Sequence, residues 1–165
     1  MAEGKSAPIA ATTVLTSPVH FLAFGLGSGL APKAPGTFGT LAAVPFYWLL
    51  AMLPLWAYGL AVVMAAIAGV WICGESSRRL GVHDHGGIVW DEFVGLWITL
   101  FAAPQGWLWL IVGFALFRLF DIWKPWPIRM ADRQVSGGFG IMLDDILAGL
   151  YALASLQLLA WFVAR

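Results

Sequence analysis

Five carboxylates lie beside long uncharged stretches of this 165-residue chain: Asp91, Glu92, Asp121, Asp144 and Asp145. A carboxylate at the centre of a bilayer costs roughly 2.5–3.5 kcal/mol, so acids in such surroundings usually serve a function. Clustered carboxylates also repel one another unless a cation compensates their charge. We therefore predict that the five acids are metal ligands or catalytic bases, with Mg²⁺ as the hard cation that oxygen ligands suit.

Two structural explanations of the acids stay open. Arg118 and Lys124 are basic neighbours that could form ion pairs with some of them. Asp144 and Asp145, which we expect at or near the start of the last apolar helix, would gain roughly 0.3–1 kcal/mol each from the helix dipole. In these roles the acids would stabilise the fold and take no part in catalysis.

A second stretch, GSGLAPKAPGTFGTL, has the residue types of a phosphate site. Pro35 and Gly36 suit the central positions of a type II turn, and Thr37 or Thr40 could cap the helix that follows. Amide donors would then be free at the helix N-terminus, with Lys33 beside them. The residue order of a nucleotide P-loop is absent. An ordinary turn before a helix would explain the same residues.

Two further motifs have competing explanations. His83 and His85, in VHDHGG, have a spacing that could bind a transition metal, although a polar membrane edge is the commoner reason for such a loop. Cys73 and Arg79 have the spacing of a cysteine-phosphatase loop, but the histidine that usually precedes the cysteine is absent, and a cysteine closing an apolar helix usually serves packing. The isolated His20 receives no role.

The composition predicts a membrane protein, since only 11% of the residues are charged, against roughly 25% in soluble proteins. Three stretches without a charged residue are long enough for a spanning helix of about 20 residues: 34–74, 93–117 and 146–164. Pro54 should divide the first into two helices that meet near residues 53–55. APQG at 103–106 interrupts the second, whose halves could form a hairpin that dips into the bilayer. We expect three to five spans.

The chain is expected to hold one membrane-embedded domain, residues 21–165, after a short tail, residues 1–20, which lacks the pattern of a cleaved signal peptide. Three polar segments separate the apolar stretches: the first (33–40), the second (75–92) and the third (118–145). Basic residues concentrate in them, and basic loops stay in the cytoplasm, so we expect all three on the cytoplasmic face. Nine basic and nine acidic residues balance, which predicts no nucleic-acid partner, and no obligate protein partner is evident.

Three motifs, in order between about residues 25 and 152, resemble the bacterial phosphatidylglycerophosphatase A family. They are GLAPKAPGTFGTLAAVPFYW, HDHGGIVWDEFVGLWITL and FRLFDIWKPWPIRMADRQVSGGFGIMLDDILAGLYA. The resemblance implies an all-α, multi-pass membrane helical bundle with interrupted helices, in which a central helix is surrounded by others. It also implies a Mg²⁺-dependent enzyme of the bacterial inner membrane that hydrolyses phosphatidylglycerophosphate to phosphatidylglycerol and inorganic phosphate, the last step of phosphatidylglycerol biosynthesis.

With this substrate, the five acids would hold Mg²⁺ and one of them would act as general base. The residues expected to bind the substrate phosphate are Lys33, Thr37, Arg118, Lys124 and Arg129. The other role expected for Arg118 is to orient one of the carboxylates.

Two alternatives belong to other functional classes. A small cation-coupled membrane transporter could also use paired acids in a bundle interrupted by glycine and proline. The absence of an inverted repeat and the location of charge in loops argue against it. A CDP-alcohol phosphotransferase also uses carboxylates and Mg²⁺, but its signature of spaced aspartates with an intervening glycine and arginine is missing.

Overall fold

The computed structural model describes residues 9–165, and this range contains eight α-helices, one 3₁₀ turn (Ser28–Leu30) and no strand. The predicted all-α class is therefore confirmed. The helices are α1 (Ala11–Thr16), α2 (Pro18–Ala23), α3 (Pro35–Ala51), α4 (Leu55–Leu80), α5 (Trp90–Thr99), α6 (Trp107–Trp123), α7 (Ile128–Gln134) and α8 (Gly137–Val163). The part of the predicted tail that is described, from residue 9 onward, is largely helical, and Val14 is fully buried.

The predicted helix breaks are confirmed. Pro54 is the N-cap of α4, so the first apolar stretch divides into α3 and α4 at this proline, which has no backbone N–H for a helical hydrogen bond. Residues 100–106 separate α5 from α6, and Gly106 there has φ 119°, a conformation that favours glycine. Helix α6 ends just before Pro125.

Helix α5 lies inside a ring formed by α3, α4, α6 and α8. Six of its ten residues are buried, and two tryptophans on it tie it to its neighbours. Trp97 Nε1 donates a hydrogen bond to the Ala43 carbonyl oxygen of α3 (3.1 Å), and Trp90 Nε1 donates to the Ala65 carbonyl oxygen of α4 (3.1 Å). These bonds fix the rotation of α5, so its first turn has a defined direction.

Helices α5 and α8 cross with their backbones in close contact at Gly95 and Gly149. A Cβ atom on Gly149 would lie 2.7 Å from the Gly95 carbonyl oxygen. Asp91 and Asp145 each precede one of these glycines by four residues, and residues four apart lie on the same helix face. The glycine crossing therefore brings the two aspartates together.

The outside of the bundle is apolar. Helices α4 and α8 are long and apolar enough to cross a membrane, and only 22% of the most apolar stretch of each is buried, so most of this surface faces outward. Large exposed side chains on the helices include Trp56, Ile67, Trp71, Ile111 and Phe162. Helices α3 and α6, with 17 residues each, would span about 25 Å, less than the ~30 Å hydrocarbon core. Two helices thus qualify as spans, and a larger number stays a prediction.

Candidate active site

Three carboxylates meet at one end of the α5–α8 crossing. Asp91 and Glu92 lie in the first turn of α5, and Asp145 lies in α8. One oxygen from each lies within 4.8 Å of the others. Asp91 Oδ1, Glu92 Oε2 and Asp145 Oδ2 are buried and have no hydrogen-bond partner in the described chain. Buried carboxylate oxygens without a partner are costly, so this donor set fits a hard divalent cation such as Mg²⁺.

Burial changes the acidity of the two α5 carboxyl groups, which lie outside the two candidate spans. Burial, reinforced by the Asp145 carboxylate, raises the pKa of Glu92 to about 8. Burial and then the charge of Glu92 raise the pKa of Asp91 well above its usual range. Without a cation, these groups hold protons near neutral pH. A bound cation would replace those protons.

Arg118 connects a fourth carboxylate to the group. Its Nη1 donates a hydrogen bond to Asp121 Oδ2 on the same helix and lies 3.7 Å from Glu92 Oε1. The first turn of α3 covers this pair, because a Cβ on Gly36 would clash with Glu92 Oε1 and approach Arg118 Nη1 to 3.2 Å. Arg118 is therefore placed to orient Glu92 and Asp121, the second of its two expected roles.

Lys124 connects the fifth carboxylate. Its Nζ lies 2.7 Å from Asp144 Oδ2 and 2.6 Å from Asp132 Oδ1. Lys124 has φ 46° at the C-cap of α6, where glycine is the usual residue and a side chain costs roughly 1–2 kcal/mol. The two ion pairs offset part of this conformational cost, and they hold the ammonium group at the edge of the carboxylate cluster.

Two further acids lie near this edge that were not predicted as site residues from the sequence, Asp84 and Asp132. Together with Asp144 and His83 they line a small cavity of about 50 Å³. Asp84 stands between the two histidines of VHDHGG, which are the more obvious candidate ligands of that segment. Asp132 lies on the short helix α7, and nothing local distinguishes it from an ordinary surface acid. Only the approach of α7 to Lys124 gives it a role.

The predicted location of Asp144 and Asp145 near the start of α8 is wrong. The helix begins at Gly137, about two turns earlier, and a helix dipole acts mainly within the first turn. The glycines of SGGFG belong to the helix, and one of them, Gly138, allows α8 to contact α4 closely. A Cβ on Gly138 would clash with the Val70 carbonyl oxygen. The helix dipole therefore does not explain these two acids.

The type II turn predicted at Pro35 and Gly36 is also wrong. Both residues already belong to α3, because proline suits the first helical position. Ala34 provides the N-cap with φ 47°, and no side chain caps the helix. Thr40 instead donates a hydrogen bond to the Gly36 carbonyl oxygen within the helix. The structure places exposed Lys33 and half-buried Thr37 beside this turn, without a side-chain hydrogen bond to the described residues.

Arg129 is also outside the carboxylate cluster. It is exposed on α7, and its Nη2 donates a long hydrogen bond of 3.4 Å to the Trp123 carbonyl oxygen. Of the five residues expected to bind phosphate, the structure thus brings Arg118 and Lys124 into contact with the acids. Lys33, Thr37 and Arg129 show no such contact.

The remaining polar candidates have structural partners. His83 Nε2 accepts a hydrogen bond from the Gly137 amide (3.2 Å), and His85 Nδ1 accepts one from the Gly87 amide (3.0 Å). Cys73 is fully buried, with its Sγ atom 4.0 Å from the sulfur of Met142. Two other pairs complete this picture: Arg79 with Glu75 at 2.7 Å, and His20 Nδ1 with Ser76 Oγ at 2.8 Å. These contacts favour packing over metal binding or nucleophilic catalysis.

The three polar segments meet at this same end of the bundle. Gly36 of the first segment covers Glu92 of the second and Arg118 of the third, and His83 contacts the start of α8. The site can therefore be built only if the three segments lie on one side of a membrane.

Comparisons with known proteins find a family model and several relatives that match this chain. The family model described as phosphatidylglycerophosphatase A matches residues 21–160. The chain is 54% identical over 136 residues to phosphatidylglycerophosphatase A of Escherichia coli K12, and the aligned region covers 82% of this chain and 79% of the relative. It is 48% identical over 140 residues to the protein of the same name from Haemophilus influenzae, and this aligned region covers 84% of the chain and 86% of the relative.

A third relative has a different name. The Bacteroides thetaiotaomicron protein, provisionally named a phosphatidylinositol-3-phosphatase, is 40% identical over 147 residues and covers 84% of this chain and 91% of its own length. No solved structure matches the chain.

Proposed function

Since this chain belongs to the phosphatidylglycerophosphatase A family and is a phosphatase, we propose that it hydrolyses phosphatidylglycerophosphate to phosphatidylglycerol and inorganic phosphate with the help of Mg²⁺. This would be the last step of phosphatidylglycerol biosynthesis. The observation that carries the proposal is the group of three unpartnered, buried carboxylate oxygens on Asp91, Glu92 and Asp145.

These three residues would hold Mg²⁺, and the other two acids, Asp121 and Asp144, are bonded to Arg118 and Lys124. When bound, Mg²⁺ supplies positive charge for the phosphoryl oxygens and lowers the pKa of water. Arg118 keeps Glu92 and Asp121 oriented through its hydrogen bond and ion pair. The carboxylates Asp91, Glu92, Asp121, Asp144 and Asp145 are the candidates for the general base.

The reaction breaks the bond between phosphorus and the glycerol oxygen. A carboxylate accepts the proton of the attacking water as the water oxygen bonds to phosphorus, and the departing glycerol oxygen takes up a proton from the carboxyl group so formed or from solvent. Lys124 lies at the edge of the cluster, where its ammonium group would stabilise negative charge on the transferred phosphoryl group. Lys33 and Thr37, beside the first turn of α3, remain candidates for holding the phosphate as it arrives.

A lipid substrate suits the outer surface of the bundle. The exposed apolar faces of α4 and α8 would lie in the bilayer, and the acyl chains of the substrate would stay in lipid. The polar end would then lie at headgroup level. We place that end on the cytoplasmic side of a multi-pass inner-membrane protein, because the polar segments are rich in basic residues, which are retained there. The transporter alternative is not favoured, because the relatives are phosphatases.

The decisive experiment measures phosphate release by the purified protein in nonionic detergent, with Mg²⁺ and with chelator. Asp145→Asn keeps the size of the side chain and removes its charge, so we expect kcat to fall at least ~10²-fold. Glu75→Gln is the matched control, because Glu75 pairs with Arg78 and Arg79 away from the cluster. Its kcat should stay within a few-fold of the parent.

Folding is followed in parallel through the melting temperature of each variant. If the acids were purely structural, Asp145→Asn would melt at a lower temperature and yet retain near-normal activity per folded molecule. That result, or full activity in chelator, would overturn the proposal.

A further inference from the structure

A groove of about 560 Å³ runs between the end of α6 and helix α7, next to the carboxylate cluster but not part of it. Its walls include Trp123, Trp126 and Met130, and two arginines, Arg129 and Arg133. Both tryptophans are strongly exposed, at 59% and 77%. Exposed tryptophan beside arginine is typical of the boundary between the hydrocarbon core and the headgroups of a membrane.

The two arginines form a concentrated, uncompensated positive charge. They are four residues apart on α7, so they stand on the same helix face. Neither has a carboxylate partner within residues 9–165. By contrast, Arg78 and Arg79 pair with Glu75. Two guanidinium groups without a carboxylate partner on one wall of a groove are suited to a phosphate oxygen, which arginine binds with charge-assisted hydrogen bonds.

The groove and the carboxylate cluster lie on the two sides of Lys124. The flanking residues Trp123 and Pro125 line the groove, while the Lys124 ammonium group bonds to Asp144 in the cluster. Asp132, next to Arg133 on α7, holds the same ammonium group. The groove therefore borders the residue whose ammonium group is expected to meet the terminal phosphate.

We infer that this groove binds the internal phosphodiester of the lipid substrate, while the terminal phosphomonoester reaches Lys124 and the carboxylates. The inference rests on the proposed function. The substrate carries two phosphate groups separated by one glycerol, and the chain offers two cationic sites, Lys124 and the arginine pair, on elements joined by the bond between Lys124 and Asp132 of α7. Arg129 would then recognise the phosphodiester, in place of the terminal phosphate predicted from the sequence. Arg133, which the sequence did not single out, would share that role.

The test uses the double variant Arg129→Gln/Arg133→Gln, with Arg78→Gln as the matched control. The main assays use micelles with a neutral detergent in large excess over the anionic lipids, which keeps a general attraction to an anionic surface small, and a second series adds further anionic lipid. Two inhibitors separate the two sites. Short-chain phosphatidylglycerol carries only the phosphodiester, and inorganic phosphate mimics only the terminal group.

We expect the double variant to raise the KM for phosphatidylglycerophosphate and the inhibition constant of short-chain phosphatidylglycerol by roughly 10-fold or more. The kcat and the inhibition constant of inorganic phosphate should change less than about 3-fold, because the carboxylate cluster is intact. The control should match the parent in all four values.

Unchanged inhibition by short-chain phosphatidylglycerol in the double variant would overturn the inference. So would a defect that appears only when anionic lipid is added to the micelles, since the groove would then serve membrane attachment. Direct calorimetric binding of short-chain phosphatidylglycerol to parent and double variant needs no turnover. It therefore tests the groove even if the parent released no phosphate, a result that would refute the proposed function by itself.

Discussion

Replacing Gly149 by alanine tests whether the close crossing of α5 and α8 holds the carboxylates in position. The new Cβ would lie 2.7 Å from the Gly95 carbonyl oxygen and 3.2 Å from Ile98 Cβ. An ordinary contact begins at 3.4 Å, and the obstacle is backbone, which cannot rotate away. The two helices must therefore separate by about 0.7 Å at this point. Asp145, one turn earlier on α8, would move away from Asp91.

The size of the effect follows from two opposing changes. Overpacking a close contact costs roughly 1–3 kcal/mol, whereas alanine is favoured over glycine within a helix by about 1 kcal/mol. The net loss of stability should be about 0–2 kcal/mol, so the protein should still fold. Catalytic groups tolerate misplacement poorly, since a shift of about 1 Å can cost 10²-fold in rate. We expect kcat to fall roughly 10- to 100-fold and Mg²⁺ affinity to weaken.

Gly59→Ala provides the control. It makes the same chemical change on α4, where the nearest atom to the new Cβ would be Phe101 Cε2 at 3.4 Å, an ordinary contact. The assay combines phosphate release, a Mg²⁺ titration of activity and thermal unfolding in detergent. Equal activity and equal Mg²⁺ dependence in the two variants would refute the reasoning, because the crossing at Gly149 would then have no influence on the carboxylates.

Three further predictions follow from single side chains. Cys73→Ser should keep turnover within a few-fold of the parent, because Cys73 packs against Met142; complete loss of activity in a folded variant would contradict this. Lys124→Gly and Lys124→Ala should both lose most activity. The free energy of unfolding should be about 1 kcal/mol higher for the glycine variant than for the alanine variant, because φ at this position is 46°. Equal free energies in chemical unfolding would contradict the expected cost of a side chain at this φ. Calorimetric Mg²⁺ affinity should fall at least tenfold per pH unit below 8, because Mg²⁺ must displace the proton of Glu92 and also that of Asp91; a flat profile would exclude both as ligands.

The sequence predicted those parts of the fold that depend on local chemistry. Pro54 stands in an apolar stretch too long for one span, and the residues around 103–106 cannot continue a helix, so both breaks were predictable, although Pro45 of the same stretch lies inside α3. The acids were identifiable because charge is rare in this chain. Asp91, Glu92 and Asp145 form one group in the structure. Their catalytic role stays a prediction.

Features that depend on contacts between distant segments were not predictable. Glycines in SGGFG have the composition of a loop, yet they lie in α8 because Gly138 faces the backbone of α4. Asp132 looks like an ordinary surface acid until α7 brings it to Lys124. Arg129 carries the right charge for a phosphate, but its sequence position does not reveal that it lines a separate groove. In each case a second element, far away in sequence, determines the role.

Under the proposed function, the short length of α5 explains how a fold embedded in a membrane would present acids to a lipid phosphate. This helix begins at the polar end with Asp91 and Glu92 and extends only about 15 Å. Just beyond its end, Gln157 of α8 donates hydrogen bonds to the Phe101 and Ala102 carbonyl oxygens. These groups therefore need no water inside the apolar bundle. The acids in the first turn of α5 can then lie at headgroup level while its buried face packs in the core. Under the proposed function, the phosphate reaches them without entering the hydrocarbon.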